Sequence, residues 1–153
     1  MPELWRFDVA EIFLSDPTKN CYLEVNLAPN GAWWACQFGQ PREAHFFQPD
    51  FSGIAASGSI EPSKWEARVA IPLTLLPPLE ALRFNVTFIL ESPRQRFLSL
   101  FPLGEGEPDF HRPEFFQPLI TNANPSSLLI RDRLSPTLAA LVRLHDHSRS
   151  LGG

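Results

Sequence analysis

Cysteine is scarce, with Cys21 and Cys36 alone in 153 residues, too few for a disulfide framework. Methionine is scarcer: Met1 stands alone, which removes the axial methionine that some haem sites use. Basic residues are in deficit, 13 Lys and Arg against 17 Asp and Glu, for a net charge of −4. That balance makes no electrostatic case for nucleic acid or an anionic membrane as partner. No apolar run approaches the roughly 18 residues of a membrane span. The opening "MPELWRFD" lacks the basic head and apolar stretch of a secretory signal. A cytoplasmic location is therefore expected. Nucleophile elbow, phosphate loop and metal-ligand motif are also missing, so neither a cofactor nor a metal is expected.

What is abundant is proline, 16 residues, and phenylalanine, 13. The prolines argue for many short segments rather than long helices. At 44% apolar and 20% charged residues the chain reads as an ordinary globule. The clearest pattern is "CYLEVNLAPNGAWWACQF", two alternating segments around Asn30-Gly31. A two-residue type I′ turn there predicts a hairpin with Val25 opposite Cys36. Cys21, Leu23, Val25, Leu27, Trp34, Cys36 and Phe38 then share an apolar face. Tyr22, Glu24, Asn26, Trp33 and Gln37 share a polar one. This register separates the cysteines by roughly 13 Å along the strand, beyond the reach of a bridge, so two buried free thiols are expected.

Further strands are predicted at 7–14, with Glu11 on the face of Phe7, Val9 and Phe13, and more weakly at 53–60. The segment 64–71 should bury Trp65, Ala67, Val69 and Ile71. The segment 82–91 puts Phe84, Val86, Phe88 and Leu90 on one face, and 96–101 is a last short strand. A long irregular connection covers 41–52. Short strands with Pro, Gly and Asn punctuation predict an all-β fold, an antiparallel β-sandwich, over residues 1–122. Residues 123–153 read as a C-terminal extension. Ser135 as N-cap, Pro136 at the first position and the spacing of Leu138, Leu141, Val142 and Leu144 predict a short α-helix over about 136–147. The last residues should fray.

The motifs "LWRFDVAEIFL", "YLEVNLAPNGAWW", "WEARVAIPLTLL", "RFNVTF" and "PDFHRPEFF" follow in that order. Together they resemble the carbohydrate-binding-module family 9 and DOMON-like superfamily, in particular small bacterial DOMON-like proteins. The resemblance covers about Leu4 to Leu119. It implies an immunoglobulin-like or DOMON-like sandwich, here shortened at the N-terminus, with an exposed N-terminal edge. It also implies that Trp5 is a stacking tryptophan and Glu11 the carboxylate after it. The relatives' arginine would fall on Phe88 and their second tryptophan near Leu98, so two of the four matched positions depart.

The leading expectation is a non-catalytic module that takes a carbohydrate or small molecule on a concave sheet face. Its site would comprise Trp5, Glu11, Tyr22, Glu24, Asn26, Trp33 and Arg42. The rival is a protein-interaction module, with a homodimer formed through the N-terminal edge. An enzyme using Asp109 and His111 as an acid/base pair stands third. The segment "PDFHRPEFFQPL" (108–119) is otherwise a packed closing stretch, with His111 bonding a backbone carbonyl beneath phenylalanine anchors. His145 and His147 belong to a solvated helix end, since residues two apart on a helix do not share a face.

Overall fold

The computed structural model describes residues 8–62, 64–91 and 94–119, and the backbone of 129–130 and 137–145. Within them two antiparallel sheets stack. Strands β1 (Val9–Asp16), β2 (Cys21–Leu27), β3 (Trp33–Gln40), β4 (Glu43–Ala44), β7 (Arg83–Leu90) and β8 (Arg96–Ser99) form the first, in the order β4-β3-β2-β1-β7-β8. The two-residue β9 (Gln117–Pro118) also pairs with β7. Strands β5 (Ala55–Glu61), β6 (Lys64–Pro72), β10 (Leu129–Ile130) and β11 (Thr137–His145) form the second, in the order β10-β11-β6-β5. Single 3-10 turns lie at Leu73–Leu75 and Pro113–Phe115. The all-β sandwich expected from strand length and punctuation is the fold observed.

The core follows from period-two alternation. Ala10, Ile12 and Leu14 of β1, Leu23, Val25 and Leu27 of β2, and Phe84, Val86 and Leu90 of β7 face Trp65, Ala67, Val69 and Ile71 of β6. The stripes read from 64–71 and 82–91 are thus the inner faces of the two sheets. All eight residues of β1 are buried, so the first sheet is covered on its outer face as well.

Three expectations need correction. The segment read as a helix is β11, paired with β6 along its whole length from Thr137↔Pro72 to His145↔Lys64. Leu138, Ala140, Val142 and Leu144 satisfy a period of two as well as Leu138, Leu141 and Val142 satisfy a helix. The open edge of β6 decides between them, because its backbone groups need partners. His145 ends this strand, while Asp146, His147 and the tail lie outside the described residues.

The hairpin register is shifted by one: Val25 faces Ala35, Glu24 faces Cys36, Asn26 faces Trp34 and Leu27 faces Trp33. Pro29 locks φ near −65°, which suits the first central position of a type I turn. Gly31, at φ 83°, then takes the left-handed position. The loop therefore has three residues, closed by Ala28 N–H donating to Ala32 O at 2.8 Å. Trp33 consequently packs toward the inter-sheet core, and Trp34 moves to the outer face.

Finally, the first described strand is not an edge. β1 lies between β2 and β7 and pairs with both.

Candidate ligand-binding site

The outer face of the first sheet carries Val9, Glu11 and Phe13 from β1, Tyr22, Glu24 and Asn26 from β2, Trp34, Cys36 and Phe38 from β3, and Asn85, Thr87 and Ile89 from β7. The cross-strand pairs Glu11↔Asn26, Phe13↔Glu24 and Glu11↔Thr87 set these side chains next to one another. The proline-rich segment 101–118 roofs part of this face. Its start is tied to the buried Asn85, whose side-chain oxygen accepts from Phe101 N at 3.1 Å and whose amide donates to Ser99 Oγ at 2.9 Å. Arg112 gathers the loop by donating to Leu103 O at 2.6 Å while its guanidinium lies 4.5 Å over the Phe115 ring. Phe116 is fully buried against Phe13.

Under this roof a polar cluster surrounds a cavity of about 500 Å³, lined by Glu11, Glu24, Arg42, Ile89, Phe97, Pro108, Phe110 and His111. Glu11 Oε2 accepts from Thr87 Oγ1 at 3.1 Å. Glu24 accepts a hydrogen bond from the Asn26 side chain. Its Oε2 is buried and without a hydrogen-bond partner, as is Asn26 Oδ1. His111 Nε2 stands 3.7 Å from that Glu24 oxygen, too far for a hydrogen bond. The other nitrogen of His111 is 2.6 Å from the Tyr22 hydroxyl. That hydroxyl accepts from Arg42 N–H at 3.4 Å, which leaves its own proton for His111 Nδ1 and places the neutral ring's proton on Nε2. At the mouth, Arg42 Nη2 meets Asp109 Oδ1 at 3.1 Å. Arg42 sits at φ 64°, the one non-glycine residue with positive φ among those described. That conformation is uncommon outside glycine and tends to occur at functional sites.

Burial sets the electrostatics. Desolvation, with repulsion from Glu24, pushes Glu11 up to about 8 despite the Thr87 hydrogen bond. Desolvation pushes Glu24 up to about 7 against the Asn26 bond. Tyr22 is pushed up to about 12, chiefly by burial. His111 is held below its ordinary value by burial and by the Arg42 charge, with Asp109 opposing. Near neutral pH burial thus favours protons on Glu11 and Glu24 and a neutral imidazole on His111. A second concavity, of about 410 Å³, lies at the turn after β1. Its buried carboxylate, Asp16, already holds Thr18 at 2.8 and 2.6 Å.

Of the residues expected at a site, Glu11, Tyr22, Glu24, Asn26 and Arg42 converge here. Trp33 does not, because the register places it on the inner face. Trp5 lies outside the described residues. His111 bonds a tyrosine hydroxyl rather than a backbone carbonyl. Asp109 takes the backbone N–H of His111 at 3.0 Å, not its ring, so the two do not align as an acid/base pair. Thr87, Phe97 and Phe110 were missed. Thr87 was legible in "RFNVTF", where Asn85 and Thr87 alternate with the apolar stripe. Among the described residues no group of three or more His, Cys, Asp and Glu side chains could hold a metal ion.

The chain is 32% identical over 127 residues to the mouse UPF0462 protein C4orf33 homolog, a match that covers 78% of this chain and 64% of the mouse protein. The human UPF0462 protein C4orf33 is 30% identical over 122 residues, 75% of this chain and 59% of its own. The zebrafish homolog is 32% identical over 123 residues, 76% and 60% of the two chains. The chain belongs to this UPF0462 family, and it spans about three fifths of the length of these relatives. No family model matches the chain, and no solved structure matches it. These vertebrate relatives overturn the resemblance to bacterial DOMON-like and family 9 carbohydrate-binding proteins. The roles that resemblance implied for Trp5, Glu11, Phe88 and Leu98 fall with it. Short alternating motifs in order reflect a sandwich's strand spacing, which unrelated sandwiches share.

Proposed function

We propose that this member of the UPF0462 family is a non-catalytic ligand-binding module that takes a small polar molecule into the pocket between the first sheet and its proline-rich roof. One observation carries the reading: two buried acceptors, Glu24 Oε2 and Asn26 Oδ1, have no hydrogen-bond partner, and Glu24 lines the cavity. A buried polar group left unpaired costs about 1–3 kcal/mol, and donors on a ligand would recover that cost. Apolar Ile89, Pro108, Phe97 and Phe110 complete the lining, the usual composition of a small-molecule site. The test is a thermal-shift and tryptophan-fluorescence screen against sugars, polyols, amines and amino acids. Trp34 lies on the site's face as a reporter. At least one class should raise the melting temperature of the wild type and not of Glu24→Gln. Silence across the panel counts against the reading.

A second reading, a protein-interaction surface, is favoured by Phe46 and Phe47. These side chains are 89% and 74% exposed, and their rings meet edge to face at 4.8 Å. Light scattering across a concentration series, with a Phe46→Ser/Phe47→Ser variant beside the wild type, tests it for a second copy of the chain. Self-association abolished in the variant supports the reading, and a monomer throughout argues against a self-partner.

A further inference from the structure

We infer that the pocket is built for a primary ammonium group carried on a small apolar body. The inference rests on the proposed pocket and names what it takes. Both unpaired buried atoms here, Glu24 Oε2 and Asn26 Oδ1, are acceptors; Glu24 lines the cavity, and Asn26, outside the lining, hydrogen-bonds Glu24. The Glu11 carboxyl lines the same cavity beside Glu24. An ammonium brings three donors and no acceptor, so it matches this floor. A hydroxyl brings one donor together with lone pairs that would face more acceptors.

Charge agrees with hydrogen bonding. The titratable or charged groups lining the cavity are Glu11 from β1, Glu24 from β2, Arg42 from the loop beyond β3 and His111 from the roof; Tyr22 from β2 and Cys36 from β3 stand near Glu24, and Asp109 from the roof stands near His111. β7 contributes Ile89 to the lining and Thr87 as the hydrogen-bond donor to Glu11, and β8 contributes Phe97. Two carboxyls thus line the cavity against one guanidinium, and Arg42 is paired with Asp109 at the mouth, 3.1 Å away. With Arg42 held by Asp109 at the half-exposed mouth and His111, 3.7 Å from Glu24 Oε2, kept neutral by burial, no permanent cation stands beside Glu11 and Glu24 on the floor. The rim suits an apolar body: Phe97 and Phe110 meet edge to face with centroids 6.0 Å apart. Aromatic faces also attract a cation directly.

Burial holds the protons on Glu11 and Glu24 up to about 8 and about 7 while the pocket is empty of charge. An entering cation favours both carboxylates, so binding should release protons near neutral pH.

The experiment is isothermal titration of the full chain with benzylamine and with benzyl alcohol, its neutral isostere, at pH 6.5 and 8.5. Benzylamine should bind about tenfold more tightly at the higher pH, where one or both carboxyls have lost the proton that opposes it. At pH 7.5, proton release to buffer should appear as a dependence on buffer ionisation enthalpy. Glu24→Gln, nearly isosteric, should weaken benzylamine and flatten its pH dependence, and Glu11→Gln should do the same, so that one variant carries the test where the other folds poorly. Equal binding of the alcohol, or amine binding that ignores pH, overturns the ammonium assignment. Silence from both probes overturns it too. A neutral compound from the earlier panel that binds in a Glu24-dependent way would then leave the pocket reading standing.

Discussion

The Tyr22 hydroxyl and His111 Nδ1 lie 2.6 Å apart across 89 residues of sequence, joining β2 to the roof of the pocket. Phe13 and Phe38 flank the imidazole edge-on, at 5.6 and 5.1 Å between centroids. The pair is the polar pin in an otherwise aromatic seam.

Removing one partner leaves the other buried and unpaired. Tyr22→Phe and His111→Ala should each lower stability by about 1–3 kcal/mol. His111→Gln should recover part of the loss, since an amide also donates and accepts. Urea denaturation measures all three. In the double variant the losses should fall well short of their sum, because the residues share one contact. Fully additive losses would show that the pin contributes nothing.

The raised carboxyls make stability depend on pH. Glu11 and Glu24 have folded values of about 8 and about 7, above the 4.5 of an ordinary glutamate. The native state therefore holds protons that the unfolded chain has already lost, and stability falls as pH rises through these values. His111 acts in the other sense, since its depressed value costs stability as pH drops below its ordinary 6.5. The clean window is pH 6.5 to 8.5, where the carboxyls act with little interference. The melting temperature should decline across it, and Glu11→Gln should flatten the decline. A rise over that window in the unliganded protein would contradict the burial of Glu11.

The inner core was legible because strict alternation leaves little freedom. Trp65, Ala67, Val69 and Ile71 lie on one side of any extended segment 64–71. The pairing of β3 was less legible, because Asn30-Gly31 satisfies a two-residue loop and Pro29-Asn30-Gly31 a three-residue one. The proline's fixed φ selects between them, and one residue of shift exchanges Trp33 with Trp34. Glu11, Glu24 and Arg42 could be named from the sequence, but their assembly could not. It depends on a roof that arrives through Asn85, Arg112 and Phe116, contacts of long sequence separation that carry no period. The fate of 137–145 was undecidable locally, since the free edge of β6 settles it.

Close approach of backbones gives a third prediction. A Cβ on Gly58 in β5 would collide with the Pro29 carbonyl oxygen and lie 2.7 Å from Gly31 N. Both neighbours are backbone in a tight hairpin loop and cannot rotate away. Gly58→Ala should therefore cost about 1–3 kcal/mol by overpacking, although alanine is ordinarily the less costly residue in a strand interior. Ser57→Ala, on the same strand, should cost little. Equal denaturation midpoints for the two variants would show that β5 and the hairpin loop do not press together.

The cysteines give the last prediction. Both are free, Cys21 half-buried and Cys36 buried. Cys21 leads β2 on the face of Leu23, whereas Cys36 lies opposite Glu24 on the other face. The offset of three residues along the ladder is roughly 10 Å, beyond the reach of a bridge. Denatured protein without reductant should therefore show both thiols. In the native state they should separate. The thiolate is the reactive form, and burial together with the nearby Glu24 charge pushes the Cys36 thiol up. Its sulfur also points to the Gln37 carbonyl at 3.6 Å, inside the seam of Phe13, Tyr22 and Phe38. Cys21 Sγ only accepts a weak contact from the Gln37 amide at 3.5 Å. A thiol reagent should modify Cys21 first, with Cys36 slower by roughly tenfold or more, since its reaction needs both an opened seam and a proton lost against burial. Peptide mapping of a time course separates the two. Comparable rates in folded protein would place Cys36 outside the seam and remove one wall from beside Glu24.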